Sequence, residues 1–267
     1  QLTGLEQTTA DQSAFEQATL RRVVAGVASG RGVAIVSLPG AEADVATAIA
    51  DTVVAAGGTV ASRTTLDASW VALDDATVTK RDDLAKELAP TPRVATGTTK
   101  DTAPPLFDRV LAAALTADST TIGQDAARSA LTSLVDAKFL EADPKTAVSA
   151  QLIVGVAPST NGADTKALQT ELASWVSLAR ALDASAAGTV VAASADPAPA
   201  AKDLTIIGAV RKDKAAVTTV SSVDNAQTPM GLASVVLALA QQETGTAGHY
   251  GLAEGATAAF APLPGSN

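Results

Sequence analysis

Cysteine is absent from the sequence, histidine and methionine occur once each as His249 and Met230, and aromatic residues make up only 3%. Without cysteine there are no disulfides, no thiolate metal sites and no cysteine nucleophile. Copper(I) prefers sulfur donors and copper(II) prefers clustered imidazoles, so one Met and one His cannot build a dedicated soft-metal site. No EF-hand-like spacing of Asp appears, and no metal ligands or cofactor are expected. No run approaches the roughly 20 consecutive apolar residues of a membrane span. Clusters of basic residues are missing too. With 28 acidic against 19 basic residues the formal charge is -9, which disfavours nucleic acid and anionic membrane surfaces as partners.

What remains is a chain of 267 residues that is 47% hydrophobic, long enough to bury a core of Ala, Val, Leu and Ile without staples. The spacing of Leu2, Leu5, Phe15, Val23 and Val27 predicts an N-terminal helix over 1–29. It is either the end of a coiled coil or an amphipathic helix docked on the body. Gly32 to Leu38 is a short apolar run that suits a strand buried on both faces. A helix over 41–56, the pair Gly57-Gly58 and a strand from Thr59 complete a βαβ unit. Helices follow near 79–89, 104–117 and 123–138. The same order then returns, with a strand over 151–157, a helix carrying Leu168, Leu172, Val176 and Leu182, and a strand over 188–194. Strands are expected over 204–210 and 217–223 and a helix over 231–242. The Gly-, Ala- and Pro-rich residues 251–267 read as a mobile tail. The expected fold is α/β, a three-layer arrangement with a mostly parallel sheet flanked by helices. The expected organisation is an N-terminal helix over 1–29, an α/β body over 30–250 and the tail.

Catalytic chemistry finds little support. The glycines Gly26, Gly30 and Gly32 precede the first strand, on the wrong side for a dinucleotide fingerprint, and there is no GxxxxGK[ST]. After that strand, Glu42 and Asp44 occupy the helix start and would repel phosphate. No GxSxG elbow supplies a nucleophile for His249, which reads as a polar residue in a C-terminal turn. Asp74-Asp75 and Asp82-Asp83 belong to solvated helical faces. Asp224-Asn225 is better placed, although a turn capped by its own side chain explains it. The expectation is a protein that is not an enzyme.

Several segments together resemble the MctB family of actinobacterial envelope proteins, which includes SteB-like cell-separation proteins. They are Val27 to Val36, Ala55 to Val60, Val220 to Asn225, Val235 to Leu239, and above all Gly248-His249-Tyr250-Gly251 leading to Gly255-Ala256. The resemblance implies an extracytoplasmic domain preceded by an N-terminal transmembrane anchor and a coiled coil. That would account for a sequence beginning at Gln1 whose one methionine is Met230. It implies one of two roles. The first is non-catalytic interaction in cell separation, with a SteA-like protein and a peptidoglycan hydrolase or its regulator, as a homodimer through the N-terminal helix. The alternative is copper transport or copper resistance. Candidate interaction or family-motif positions are Leu2, Leu5, Phe15, Asp224, His249, Tyr250 and Gly251.

Overall fold

The computed structural model describes residues 15–16, 18–89, 103–116, 123–195 and 203–263. Leu2 and Leu5, and with them the proposed coiled-coil seam, lie outside the described residues. Residues 15–16 and 18–24 are helical (α1, 18–24), and turns occupy 25–30, where Gly26 and Gly30 take positive φ. The helix thus ends earlier than the apolar spacing predicts, because left-handed glycines reverse the chain before the first strand.

A seven-stranded sheet forms the middle layer, in the order β3-β2-β1-β4-β6-β8-β9. Its strands are β1 (Gly32–Ser37), β2 (Thr59–Leu66), β3 (Leu140–Ala142), β4 (Leu152–Ala157), β6 (Gly188–Ala193), β8 (Ser221–Val223) and β9 (His249–Tyr250). All neighbours pair parallel except β3, which runs antiparallel along the β2 edge. Two short strands, β5 (Gly162–Ala163) and β7 (Asp203–Leu204), pair separately. The result is the expected three-layer α/β fold.

Both faces of the central strands are buried, which is why these strands read as unbroken apolar runs rather than alternating ones. From β1, Val33 and Ile35 pack on one side with α2 (Ala43–Ala55), α9 (Pro229–Gln242) and Val24 of α1. Ala34 and Val36 pack on the other side with α4 (Leu106–Thr116), α5 (Gln124–Asp136) and α6 (Lys166–Asp183). This second core carries a cluster of three aromatics, with Trp70 and Phe107 ring centres 4.3 Å apart and Phe139 edge-on to Phe107 at 4.9 Å. α3 (Asp75–Leu88) closes that end, its first turn capped by Asp74.

The strand expected over 204–210 fails, and the one expected over 217–223 holds only in its last three residues, as β8. Residues 206–212 form helix α7 (Ile206–Lys212), and 216–219 form the short α8 (Ala216–Thr219) ahead of β8. The run Leu204 to Val210 is apolar and rich in β-branched residues, as strands are, yet Thr205 stops it from being one. Its Oγ1 accepts the Gly208 N–H at 2.9 Å, and Asn161 Oδ1 takes the Ile206 N–H at 3.0 Å. Those free amides are satisfied as helix-start amides. Ile206, Ile207, Val210 and Arg211 then fall on the buried side, a helical spacing.

Candidate functional site

The sheet edge at β8 and β9 holds a buried polar network centred on Arg211. α7 directs this side chain inward from a helix whose other inward residues are apolar, and only 3% of the side chain is exposed. Its guanidinium donates to Asp224 Oδ2 at 2.7 Å, to Ser222 Oγ at 2.9 Å and to the Tyr250 carbonyl at 2.8 Å. Longer bonds reach the carbonyls of Ala253 at 3.3 Å and Glu254 at 3.2 Å. A planar fork of five N–H donors is suited to such convergent acceptors.

Asp224 follows β8 and is itself buried. Besides the arginine it accepts the N–H of Leu252 on Oδ1 at 2.7 Å and that of Ala253 on Oδ2 at 3.1 Å. The self-capped turn expected at Asp224-Asn225 is therefore not what this carboxylate builds. It spans to a loop almost thirty residues further along and clamps it.

His249 lies on β9 rather than in a turn, and it is 5% exposed. Nε2 is 2.9 Å from the Val217 carbonyl, so it must carry the proton, and Nδ1 then accepts from Ser222 Oγ, also at 2.9 Å. The bonds run in one direction, from Arg211 Nε through Ser222 and the imidazole to Val217. Burial depresses the His249 pKa below its usual 6.5, and the Arg211 charge adds to this, although the Val217 carbonyl pulls the other way. Because this is the one histidine in the sequence, its 15N resonances are free of overlap. We expect an Nε2–H tautomer whose titration midpoint lies below 6.5, and a midpoint above that value would contradict the assigned bonds. Ser222 is fully buried, and the Asp224 carboxylate is committed to Arg211 and the loop amides rather than to the imidazole. The three residues are close together but are not arranged as a proton relay onto a serine nucleophile.

The four residues Gly248 to Gly251 each have a steric or polar reason. A Cβ on Gly248 would lie 2.1 Å from the Tyr250 hydroxyl, and one on Gly251 would lie 2.1 Å from Asp224 Oδ1, at a φ of +124°. The Tyr250 hydroxyl donates to Gln241 Oε1 on α9. Beyond Gly251, residues assigned above to a mobile tail make specific bonds. Thr257 Oγ1 donates to the His249 carbonyl at 2.9 Å, and the buried Ala261 gives its N–H to Ser234 Oγ at 3.1 Å. These bonds fix a frame on which Leu252, Phe260 and Leu263 stand 74%, 55% and 47% exposed.

Asp224, His249, Tyr250 and Gly251 are thus brought together, whereas Phe15 stands 69% exposed on the N-terminal helix and takes no part. Sequence reading missed Arg211 and Ser222. Arg211 opens the charged run Arg211-Lys212-Asp213-Lys214 at the end of an apolar stretch, where a solvated arginine is the ordinary reading, so the sequence carried little signal for it.

As a test for a metal cargo, the donors do not fit copper. Both imidazole nitrogens are bonded, Met230 is the one sulfur in the sequence, and the described residues contain no group of three His, Cys, Asp or Glu placed to share an ion.

A family model described as copper transport outer membrane protein, MctB, matches residues 1–261. No curated protein matches the sequence.

Proposed function

The chain belongs to the MctB family, an envelope family described by copper transport, and from that premise we propose that it works through protein contacts rather than by chelating copper or by catalysis. In this reading it acts outside the membrane in cell separation, with a SteA-like partner and a peptidoglycan hydrolase or its regulator, and is held to the membrane by an N-terminal anchor. The observation that carries the proposal is the clamped segment after β9. A buried ion pair, two backbone amides on its carboxylate and one serine bond hold it, and it presents Leu252, Phe260 and Leu263 to solvent. Apolar side chains on a fixed frame are what a partner pocket can receive with little ordering cost. We expect Leu252→Asp with Phe260→Asp to weaken binding of a purified SteA-like partner at least tenfold while the melting temperature stays unchanged. Undiminished binding would refute this surface. Copper transport is the second reading, supported by the family description alone. Stoichiometric, tight copper(I) binding by the purified protein would put it first.

Dimerisation belongs to the same proposal. α1 turns Leu20, Val24 and Ala28 of the adjoining turn toward the α2–α9 core and leaves Val23 outward at 38% exposure, as Phe15, in the helical residues ahead of it, is at 69%. Deleting residues 1–29 would remove Val24 and Ala28 from the core, so point changes are the cleaner probe. Phe15→Glu with Val23→Glu is expected to convert a dimer to a monomer in sedimentation analysis. A wild type that is already monomeric would count against the dimer.

A further inference from the structure

We propose that the cleft enclosed by α3, α4 and α6 is a binding site for a primary ammonium group, received by the carboxylate of Asp108. The cleft measures about 420 Å³, within the range of small-ligand pockets, and Trp70, Phe107 and Asp108 are among the residues that line it. α3 contributes Arg81 and Asp82, and α6 contributes Thr170 and Ser174.

Asp108 is the unusual feature. It is 6% exposed on an otherwise apolar helix face, and a buried carboxylate is costly unless it is paired and hydrogen-bonded. Among the described residues it has one bond, from Trp70 Nε1 to Oδ1 at 2.9 Å. The nearby cation, Arg81, turns its Nη1 to backbone instead, donating to the carbonyls of Trp70 and Ser69, and acts on Asp108 only as a charge at a distance. No ion pair forms between Arg81 and Asp108 among the described residues. Oδ2 therefore lacks the charged donor that would offset burial.

The chemistry narrows what can fill that place. A hard divalent cation needs six or more oxygens, and the described residues hold no cluster of three carboxylate or imidazole groups. A quaternary ammonium has no N–H to give Oδ2. A primary ammonium brings both a full charge and hydrogen-bond donors, which are strongest in a desolvated setting. The aromatic rings of Trp70 and Phe107, with centres 4.3 Å apart, suit an apolar body behind that head and favour a cation near them. Among the described residues, the charged groups that line the cleft with Asp108 are Arg81 and Asp82 from α3, and α6 lines it with hydroxyls and small side chains.

The ammonium could belong to a free amine or to a lysine side chain. The chain is titrated with n-butylamine and separately with Nα-acetyl-lysine-N-methylamide, following heat and the fluorescence of a Trp175→Phe background, in which Trp70, whose indole bonds Asp108, is the remaining tryptophan. Saturable binding of either is expected, and the tighter arm identifies the source. Tetramethylammonium is expected to bind at least tenfold more weakly. Asp108 is pushed up to about 7 by burial, against the Trp70 bond and the Arg81 charge. The ionised fraction, and with it the apparent affinity, should therefore rise about tenfold from pH 6 to pH 8. Asp108→Asn should weaken binding at least tenfold. An affinity equal at the two pH values, no saturation by either amine, or full binding by Asp108→Asn would overturn the proposal. If that variant does not fold, the pH comparison on the native chain decides.

Discussion

Replacing Arg211 by methionine is expected to destabilise the protein by about 3–5 kcal/mol in denaturant unfolding, because it leaves a buried carboxylate with two backbone amides but no countercharge. The Arg211 and Asp224 side chains are 3% and 7% exposed, so water cannot take the place of the lost partner. Methionine matches the aliphatic stem and isolates the loss of the guanidinium from a loss of packing. The removed group also held the carbonyls of Tyr250, Ala253 and Glu254 and the hydroxyl of Ser222. Amide exchange should therefore accelerate first across 249–258 and only later in β1 and β4. Arg211→Met with Asp224→Leu removes both charges and is expected to recover much of the loss, as buried pairs replaced together by apolar residues do. Arg211→Lys should fall between, keeping the charge but losing the fork that reaches several acceptors at once. A loss below about 1 kcal/mol for Arg211→Met, the range of exposed pairs, would mean that Asp224 is solvated in solution.

This pair also explains what could be read in advance. The sheet core was legible because β1, β4 and β6 are covered on both sides and so appear as short apolar runs bounded by Gly and Pro. The helices between them were legible by spacing, and α9 as an apolar run over 231–242, although it starts two residues earlier at Pro229. α7 was not, since Ile206-Ile207 and Val210 favour a strand locally and only the Thr205 cap and the Asn161 contact decide otherwise. β9 has two residues and β3 three, too few for any period to show. The segment Gly248 to Gly251 stood out as a pattern, but the reason for its glycines required knowing where Asp224 and the Tyr250 hydroxyl lie. Arg211 could not be paired with Asp224 from spacing, because the two meet only after α8 and β8 have folded back. Asp108 gave no signal at all. An acidic residue in the first turn of a helix is ordinary, and its burial against Trp70 comes from how α4 meets the turn before α3.

Asp108→Asn is expected to make the protein more stable at neutral and alkaline pH, the reverse of the usual effect of a core substitution. Burial raises the Asp108 pKa from 3.8 to about 7, so the native state holds a proton that the unfolded chain has released. Below pH 3.8 both states are protonated and the group exacts no penalty. Between 3.8 and 7 that relative stability drains away as pH rises, and above 7 the native state carries a buried charge costing on the order of 4 kcal/mol. Asparagine keeps an oxygen for the Trp70 indole and stays neutral throughout. The difference between variant and wild type in unfolding free energy should therefore be near zero at pH 4, grow through pH 5 to 7, and level off at several kcal/mol by pH 8. A wild type as stable as the variant at pH 8 would mean that the carboxylate has a compensating partner. The opposite result has a consequence for the cleft: a side chain that weakens the fold at working pH is not explained by stability. Its carboxylate then serves an occupant, and adding a primary amine at pH 8 should narrow the gap between the two proteins by stabilising only the aspartate form.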